Sequence, residues 1–171
     1  MVLASGRTSD FYIDTKQASL TAEGHYLVGR LVLARLRETF PAAQAVGGMT
    51  MGADPIASAT SLTSYLWGAP LPAFYVRKEP KGHGTQQWIE GIHPKGMTVA
   101  IVDDVITSGA SALKAVDRVE ADGAKAVVIV GLVDRLQGGR EAIEGRGLQY
   151  RAACTIDDVR AAFRNGAAGR P

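Results

Sequence analysis

The sequence predicts a single α/β domain built on a mainly parallel central sheet flanked by helices, and three observations carry that prediction. Apolar, β-branched segments with the near-continuous character of buried strands alternate with segments of helical period. The 171 residues are enough for one buried core and leave no room for a second full one, so residues 1–171 read as one domain. Hydrophobic residues make up 46% and charged residues 21%, near the soluble average, which excludes a disordered, collagen-like or coiled-coil chain.

Each element follows from local pattern. The first twenty residues break the alternation and read as a small cap, or hood, over one end of the sheet. From residue 21 to 40, Leu27, Leu31, Leu33, Leu36 and Phe40 recur at roughly helical spacing while Arg30, Arg35, Arg37 and Glu38 supply a polar face, and Pro41 ends that helix. Residues 45–47 form a short strand and 48–52 a glycine-bounded turn. The next helix opens with Asp54 as N-cap and Pro55 at its first position. Ala73–Val76 is a strand, and residues 78–87, polar and without period, are a loop. Residues 98–102 form the clearest strand. A helix over 111–121, with Leu113, Val116 and Val119 on one face, stops at Gly123. Residues 126–133 are a buried strand, Gly139–Glu144 a short helix, 150–154 an edge strand and 156–163 a last helix.

Composition also removes several classes of function. No apolar run reaches the roughly 18 residues of a membrane span, and the N-terminus lacks a basic-then-apolar leader, so the expected location is the cytoplasm. One cysteine, Cys154, and three histidines cannot build a metal finger. A net charge of +2 creates no whole-molecule field for nucleic acid, so any anion site is local.

The informative segment is Val99-Ala100-Ile101-Val102-Asp103-Asp104-Val105-Ile106-Thr107-Ser108-Gly109-Ala110-Ser111. Four apolar residues carry the chain through the sheet, two adjacent acids emerge at its carboxyl end, and a Thr/Ser/Gly loop opens the next helix. Ligands bind at that edge of an open parallel sheet. Exposed loop amides and a helix N-terminus suit phosphate, and Gly109 lets the backbone approach it. The acid pair adds acceptors for two vicinal hydroxyls, so the pattern asks for a ribose 5-phosphate. The simpler reading, that Asp103 and Asp104 cap the helix and face water, leaves paired acids after a buried strand without a reason. The glycine patterns of nucleoside-triphosphate and dinucleotide loops are absent.

This strand, acid-pair and Thr-Gly form resembles the type I phosphoribosyltransferases, whose loop binds phosphoribosyl pyrophosphate (PRPP), and within them the branch that uses orotate. The resemblance also rests on Ser5-Gly6-Arg7-Thr8-Ser9-Asp10-Phe11-Tyr12-Ile13-Asp14, Gly52-Ala53-Asp54-Pro55-Ile56-Ala57, Arg77-Lys78-Glu79-Pro80-Lys81-Gly82-His83-Gly84 and Asp134-Arg135. It implies the type I phosphoribosyltransferase fold. It implies that Asp103 and Asp104 hold the ribose hydroxyls and that Val105, Ile106, Thr107, Ser108, Gly109, Ala110 and Ser111 complete the PRPP loop. Arg77, Lys78, Lys81 and His83 would contact the pyrophosphate, Lys81 and His83 as the catalytic pair. Tyr12, Ile13, Thr107 and Arg135 would bind orotate, Arg135 as a carboxylate fork.

Mg²⁺ held mainly by PRPP, a homodimer with shared active sites, a cytoplasmic place in pyrimidine nucleotide synthesis, and no nucleic-acid or membrane partner are implied with it. Relatives carry a helix ahead of the Ser-Gly-Arg segment that this sequence lacks, and many carry lysine where Ala4 and Met51 stand. The rivals are a purine-using member of the family and a PRPP-sensing regulator of nucleic acid. His25 and His93 read as surface residues, Trp67, Trp88 and the methionines as packing residues, and Cys154 as a small core residue.

Overall fold

A computed structural model describes residues 13–81 and 87–168. Its elements, in chain order, are α1 (Lys16–Ser19), α2 (Ala22–Thr39), β1 (Ala45–Met49), α3 (Asp54–Leu66), β2 (Ala73–Val76), β3 (Ile89–Gly91), β4 (Thr98–Ile106), α4 (Ala110–Ala121), β5 (Lys125–Asp134), α5 (Gly139–Glu144), β6 (Gln149–Thr155) and α6 (Ile156–Ala168). The six strands form one sheet in the order β3-β2-β1-β4-β5-β6. Only the β2–β3 pair is antiparallel.

That order places the functional edge. From β1 the chain winds outward through β2 and β3, then returns beside β1 as β4 and winds the other way through β5 and β6. The carboxyl ends of β1 and β4 therefore diverge, and their connections leave a crevice between them, the topological switch point of an open α/β sheet.

Both faces of the sheet are covered over its centre, which is why β1, β4 as far as Val102 and β5 are mainly apolar and buried. Val46, Ala100, Val102, Val128 and Val130 pack against Val28, Val32 and Leu36 of α2 and Ile56 and Ala57 of α3. On the other face Ile101, Ile129, Phe74 and Tyr150 pack against Ala112, Ala115, Val116 and Val119 of α4 and Ile143 of α5. A register shift between Val99 and Ala100 gives β5 one extra residue, so Ala126 and Val128, two apart, join opposite faces. Helices α2 and α3 touch at Gly29, where a Cβ would lie 2.4 Å from both Ala59 O and Thr63 Oγ1.

Several boundaries differ from the sequence reading, and strand β1 runs on to Met49, through the first two residues of the expected 48–52 turn. Strand β4 runs to Ile106, because β5 pairs with it as far as Ile106 with Asp134, so both acids are strand residues. Helix α3 takes Ala53 as its N-cap, with Asp54 as its first residue. Strand β3, three residues hydrogen-bonded to β2, has no signal of its own in the sequence. Helix α6 runs on to Ala168, opened by a reciprocal cap in which Thr155 N donates to Asp158 Oδ2 at 2.7 Å and Asp158 N to Thr155 Oγ1 at 3.2 Å. The described part of the expected hood holds α1; residues 1–12 lie outside the described residues. Among the described residues no helix is long and apolar enough to cross a membrane.

Candidate active site

Pairing with β5 carries Asp103 into the sheet, where its side chain is buried, while Asp104, one residue on, faces the crevice half-exposed. Asp103 Oδ1 accepts a bond from Asp104 N at 3.0 Å, and the Ser111 side chain also bonds to this carboxyl. Burial first, then the Asp104 charge, raises the Asp103 pKa from 3.8 to about 7. The Asp103 carboxyl therefore keeps much of its proton up to neutrality. Neither acid is a helix cap.

The loop beyond β4 is held open from behind. Gly109 is the N-cap of α4 with φ 76, and no side chain caps that helix, so its N-terminal amides face the crevice. A Cβ at Gly109 would lie 3.2 Å from Gly139 O and from Ile143 Cγ1. Gly139 in turn sits where a Cβ would be 2.5 Å from Ile106 Cγ2 and 2.7 Å from Thr107 O. The Gly138-Gly139 pair lets α5 start directly beneath Thr107–Gly109, a packing requirement the sequence reading missed.

Arg135 follows β5, its N donating to Ile106 O at 2.9 Å and its side chain largely buried. The turn after it has Leu136 at φ 55, a left-handed conformation that costs a branched side chain about 1–2 kcal/mol. Asp134 Oδ1 accepts from Leu136 N at 2.8 Å and holds that turn. The buried Asp134 carboxyl also faces Tyr150, whose hydroxyl is pushed well above its ordinary range by burial and then by that carboxylate.

Across the crevice, Arg77 follows β2 and its N donates to Trp88 O at 2.8 Å. Its guanidinium lies 3.0 Å from Glu90 Oε1, and Lys81 Nζ lies 3.9 Å from the same oxygen. Glu90 of β3 thus gathers two cations of the basic loop. A cavity of about 430 Å³ lined by Thr50, Tyr75, Arg77, Lys78, Glu79 and Glu90 joins that loop to the turn after β1. Gly52 of the same turn lies under Asp104, where a Cβ would be 2.6 Å from Asp104 Oδ1. From the third side Thr15 Oγ1 donates to Asp104 Oδ2 at 3.1 Å, with Lys16 Nζ 3.8 Å from that oxygen.

Acid pair, open helix N-terminus and basic loop thus meet at the switch point, and residues 44–165 match the phosphoribosyl transferase domain family. The chain belongs to the phosphoribosyltransferases. It is 54% identical over 160 residues to the orotate phosphoribosyltransferase of Sorangium cellulosum, covering 92% of this chain and 83% of that protein. The orotate phosphoribosyltransferase of Aquifex aeolicus is 44% identical, with 92% and 85% covered. A crystal structure of the Mycobacterium tuberculosis orotate phosphoribosyltransferase in complex with PRPP superposes with a TM-score of 0.77 at 38% identity, covering 92% of this chain and 88% of that one. The Aeropyrum pernix enzyme superposes at 0.81 with 31% identity, covering 95% and 89%.

Seen as a phosphoribosyltransferase, the fold brings Asp103, Asp104, Thr107, Ser108, Gly109, Ala110 and Ser111 to one edge, with Arg77, Lys78 and Lys81 on the β2–β3 connection. Val105 and Ile106 are strand residues; the Ile106 side chain is fully buried in the core and Val105 is half-buried. Ile13 is half-buried against the α2 and α3 face of the core, and Tyr12 and His83 lie outside the described residues. Sequence reasoning missed Thr15, Lys16, Gly52 and Glu90; Thr15 meets Asp104 across 89 positions, a separation no local pattern signals. His25 is half-buried, its Nδ1 3.1 Å from Ser19 O and its Nε2 3.4 Å from Ser58 Oγ. Trp88 packs, stacked under Arg118 at 3.4 Å, but Trp67 is 51% exposed, contrary to the packing role expected of it.

Proposed function

We infer that this phosphoribosyltransferase joins orotate to PRPP, giving orotidine 5′-phosphate and pyrophosphate, as a step of pyrimidine nucleotide synthesis. The observation that carries the reading is the meeting, at one switch point, of an acid pair with one member buried, an uncapped helix N-terminus and a basic loop. These match in order the hydroxyls, the 5-phosphate and the pyrophosphate of PRPP.

The site residues then divide the work. Asp103 and Asp104 accept from the ribose hydroxyls and fix the ring, while the amides of 107–110 and the Ser111 hydroxyl hold the 5-phosphate. Arg135 forks the orotate carboxylate, beside Thr107 and the segment through Tyr12 and Ile13. As the bond from C1 to the pyrophosphate oxygen breaks, the ring becomes oxocarbenium-like and the departing group takes the electron pair. Arg77, Lys78, Lys81 and His83 meet the charge that gathers there. Release of Arg77 and Lys81 from Glu90 accompanies that meeting.

Magnesium fits the donor set. Two carboxylates are hard oxygen donors, and with both engaged by the ribose hydroxyls the ion would be carried mainly by PRPP. When bound, Mg²⁺ neutralises pyrophosphate oxygens. The protein is proposed to work in the cytoplasm as a homodimer with shared active sites, Arg77 and Lys78 lining their own cavity while the far part of the basic loop, Lys81 and His83, reaches the partner's site. Tyr65, Leu66 and Trp67 of α3 and Leu20, Tyr26 and Leu27 by α2 leave large apolar side chains in water, which suits a second copy.

The deciding experiment follows orotate absorbance with PRPP and Mg²⁺, and offers adenine, hypoxanthine and uracil in parallel. Consumption of orotate alone is expected. Turnover of a purine instead would overturn the base assignment, and PRPP-dependent gel shift of nucleic acid without turnover would mark a regulator.

A further inference from the structure

The structure assigns Thr15, assisted by Lys16, the role of a positioning residue that orients Asp104 and ties the N-terminal segment to the ribose site. The inference rests on the proposed ribose role of Asp104 and goes beyond it.

The Asp104 carboxylate lies beside the Asp103 carboxyl and is shaped by groups from three separate stretches of chain. Oδ1 accepts from Val105 N at 2.9 Å and lies against the space left by Gly52. Oδ2 accepts from the Thr15 hydroxyl at 3.1 Å and faces Lys16 Nζ at 3.8 Å. Thr15 is 7% exposed. Its carbonyl accepts from Ala18 N at 3.1 Å and Ser19 N at 2.8 Å, so the first turn of α1 locks its backbone. That turn fixes where the Thr15 Cβ sits, which puts the hydroxyl within reach of Asp104, and a carboxylate held from two sides keeps one rotamer. Lys16, more exposed, adds charge and leaves the geometry to Thr15.

Position gives the contact a second effect. Ile13, two residues upstream, belongs to the segment proposed to meet the pyrimidine. A base held by that segment would bear on the same short stretch of chain that carries the Thr15 hydroxyl to Asp104, so the two sites share one support. Each ligand therefore raises the affinity of the other, by the same factor in both directions. A threonine that only started α1 would affect stability and leave this coupling alone.

The test titrates ribose 5-phosphate, which lacks a leaving group, with and without orotate, in the presence of Mg²⁺. Thr15→Val, nearly isosteric, is expected to bind the sugar phosphate about tenfold more weakly, the scale of a lost bond to a charged group. It is also expected to lose the enhancement by orotate, while Thr15→Ser restores both. Lys16→Met is expected to weaken binding by a smaller factor with the enhancement kept. Wild-type binding and enhancement in Thr15→Val overturn the inference, as does failure of Thr15→Ser to rescue. Should Thr15→Val not fold, Thr15→Ser and Lys16→Met decide: enhancement lost in Thr15→Ser, or binding unchanged in Lys16→Met, overturns it. Asp104→Asn separates the two readings, because unchanged binding there removes the ribose role of Asp104 itself.

Discussion

A carboxyl placed inside a sheet beside a second carboxyl holds its proton to unusually high pH, and Asp103 does so for both reasons, burial being the larger. Between pH 3.8 and about 7 the folded protein keeps a proton on Asp103 that the unfolded chain has lost. Stability therefore falls as pH rises through that window and levels off above it. Asp103→Asn removes the titration: its melting temperature is expected to exceed that of the wild type above pH 7 and to lose the wild type's decline across the window. Scanning calorimetry between pH 5 and 8 checks this, and parallel melting curves for the two proteins would contradict it. Function runs the opposite way, since only the ionised carboxyl is a charged acceptor. PRPP binding by the wild type is expected to strengthen up to about pH 7, and that of Asp103→Asn to stay weak and flat. Gly52 makes a sharper local test. A methyl there meets Asp104 Oδ1 at 2.6 Å, so Gly52→Ala must push the carboxylate off its Thr15 and Val105 partners. A loss on the order of 1–3 kcal/mol in PRPP binding is expected, with the fold retained, read by titration calorimetry and circular dichroism.

At the scale of elements, what was legible in the sequence is what burial on both faces writes into it. Strands β4 and β5 are runs rich in Val, Ile and Ala because helices cover both sides, and α4 shows its stripe because one side faces water, whereas α2 buries Val28 and Val32 and leaves Leu27 and Leu31, expected on its apolar face, exposed. The acid pair and the loop glycine were legible for the same reason, as departures from such a run. What stayed hidden depends on distant partners. Strand β3 is three residues that exist by pairing with β2, and the last four residues of β4 are strand because β5 continues beside them. Thr15, Gly52 and Glu90 mean nothing until the switch point brings them to Asp104 and to the basic loop. Helix contact at Gly29 is another such case. A Cβ there strikes Ala59 O and Thr63 Oγ1 at 2.4 Å, so Gly29→Ala is expected to destabilise by about 1–3 kcal/mol despite the better helix propensity of alanine. Urea unfolding measures it, and a stabilised variant would show that α2 can slide freely on α3. Arg135 tests the end of β5. If its guanidinium grips the base carboxylate, Arg135→Ala raises KM for orotate far more than KM for PRPP; equal effects mark it as a structural residue of the β5 turn.

The whole molecule presents an imbalance: six strands are well covered, yet Tyr65 is 69% and Leu66 63% exposed on one end of α3. Association through that side would bury them, and in the proposed dimer the far part of the basic loop reaches across to the partner's acid pair. Within one subunit, Lys81 rests 3.9 Å from its own Glu90, a contact that an approaching pyrophosphate must outcompete. Take Lys81→Ala and Asp104→Asn, each expected to be nearly inactive, the first for want of a cation on the leaving group and the second for want of a charged hydroxyl acceptor. Mix them under conditions where subunits exchange. If Lys81 acts across the interface, a mixed dimer has one site carrying both lesions and one carrying neither. Random pairing makes about half the dimers mixed, so activity recovers to roughly a quarter of the wild-type value, as a twofold interface dictates. If Lys81 serves its own subunit, every site in every dimer keeps one lesion and nothing recovers. Mass spectrometry of isotopically labelled subunits confirms the exchange independently. Absence of recovery with exchange complete then rejects the shared site while leaving the ribose and base assignments standing.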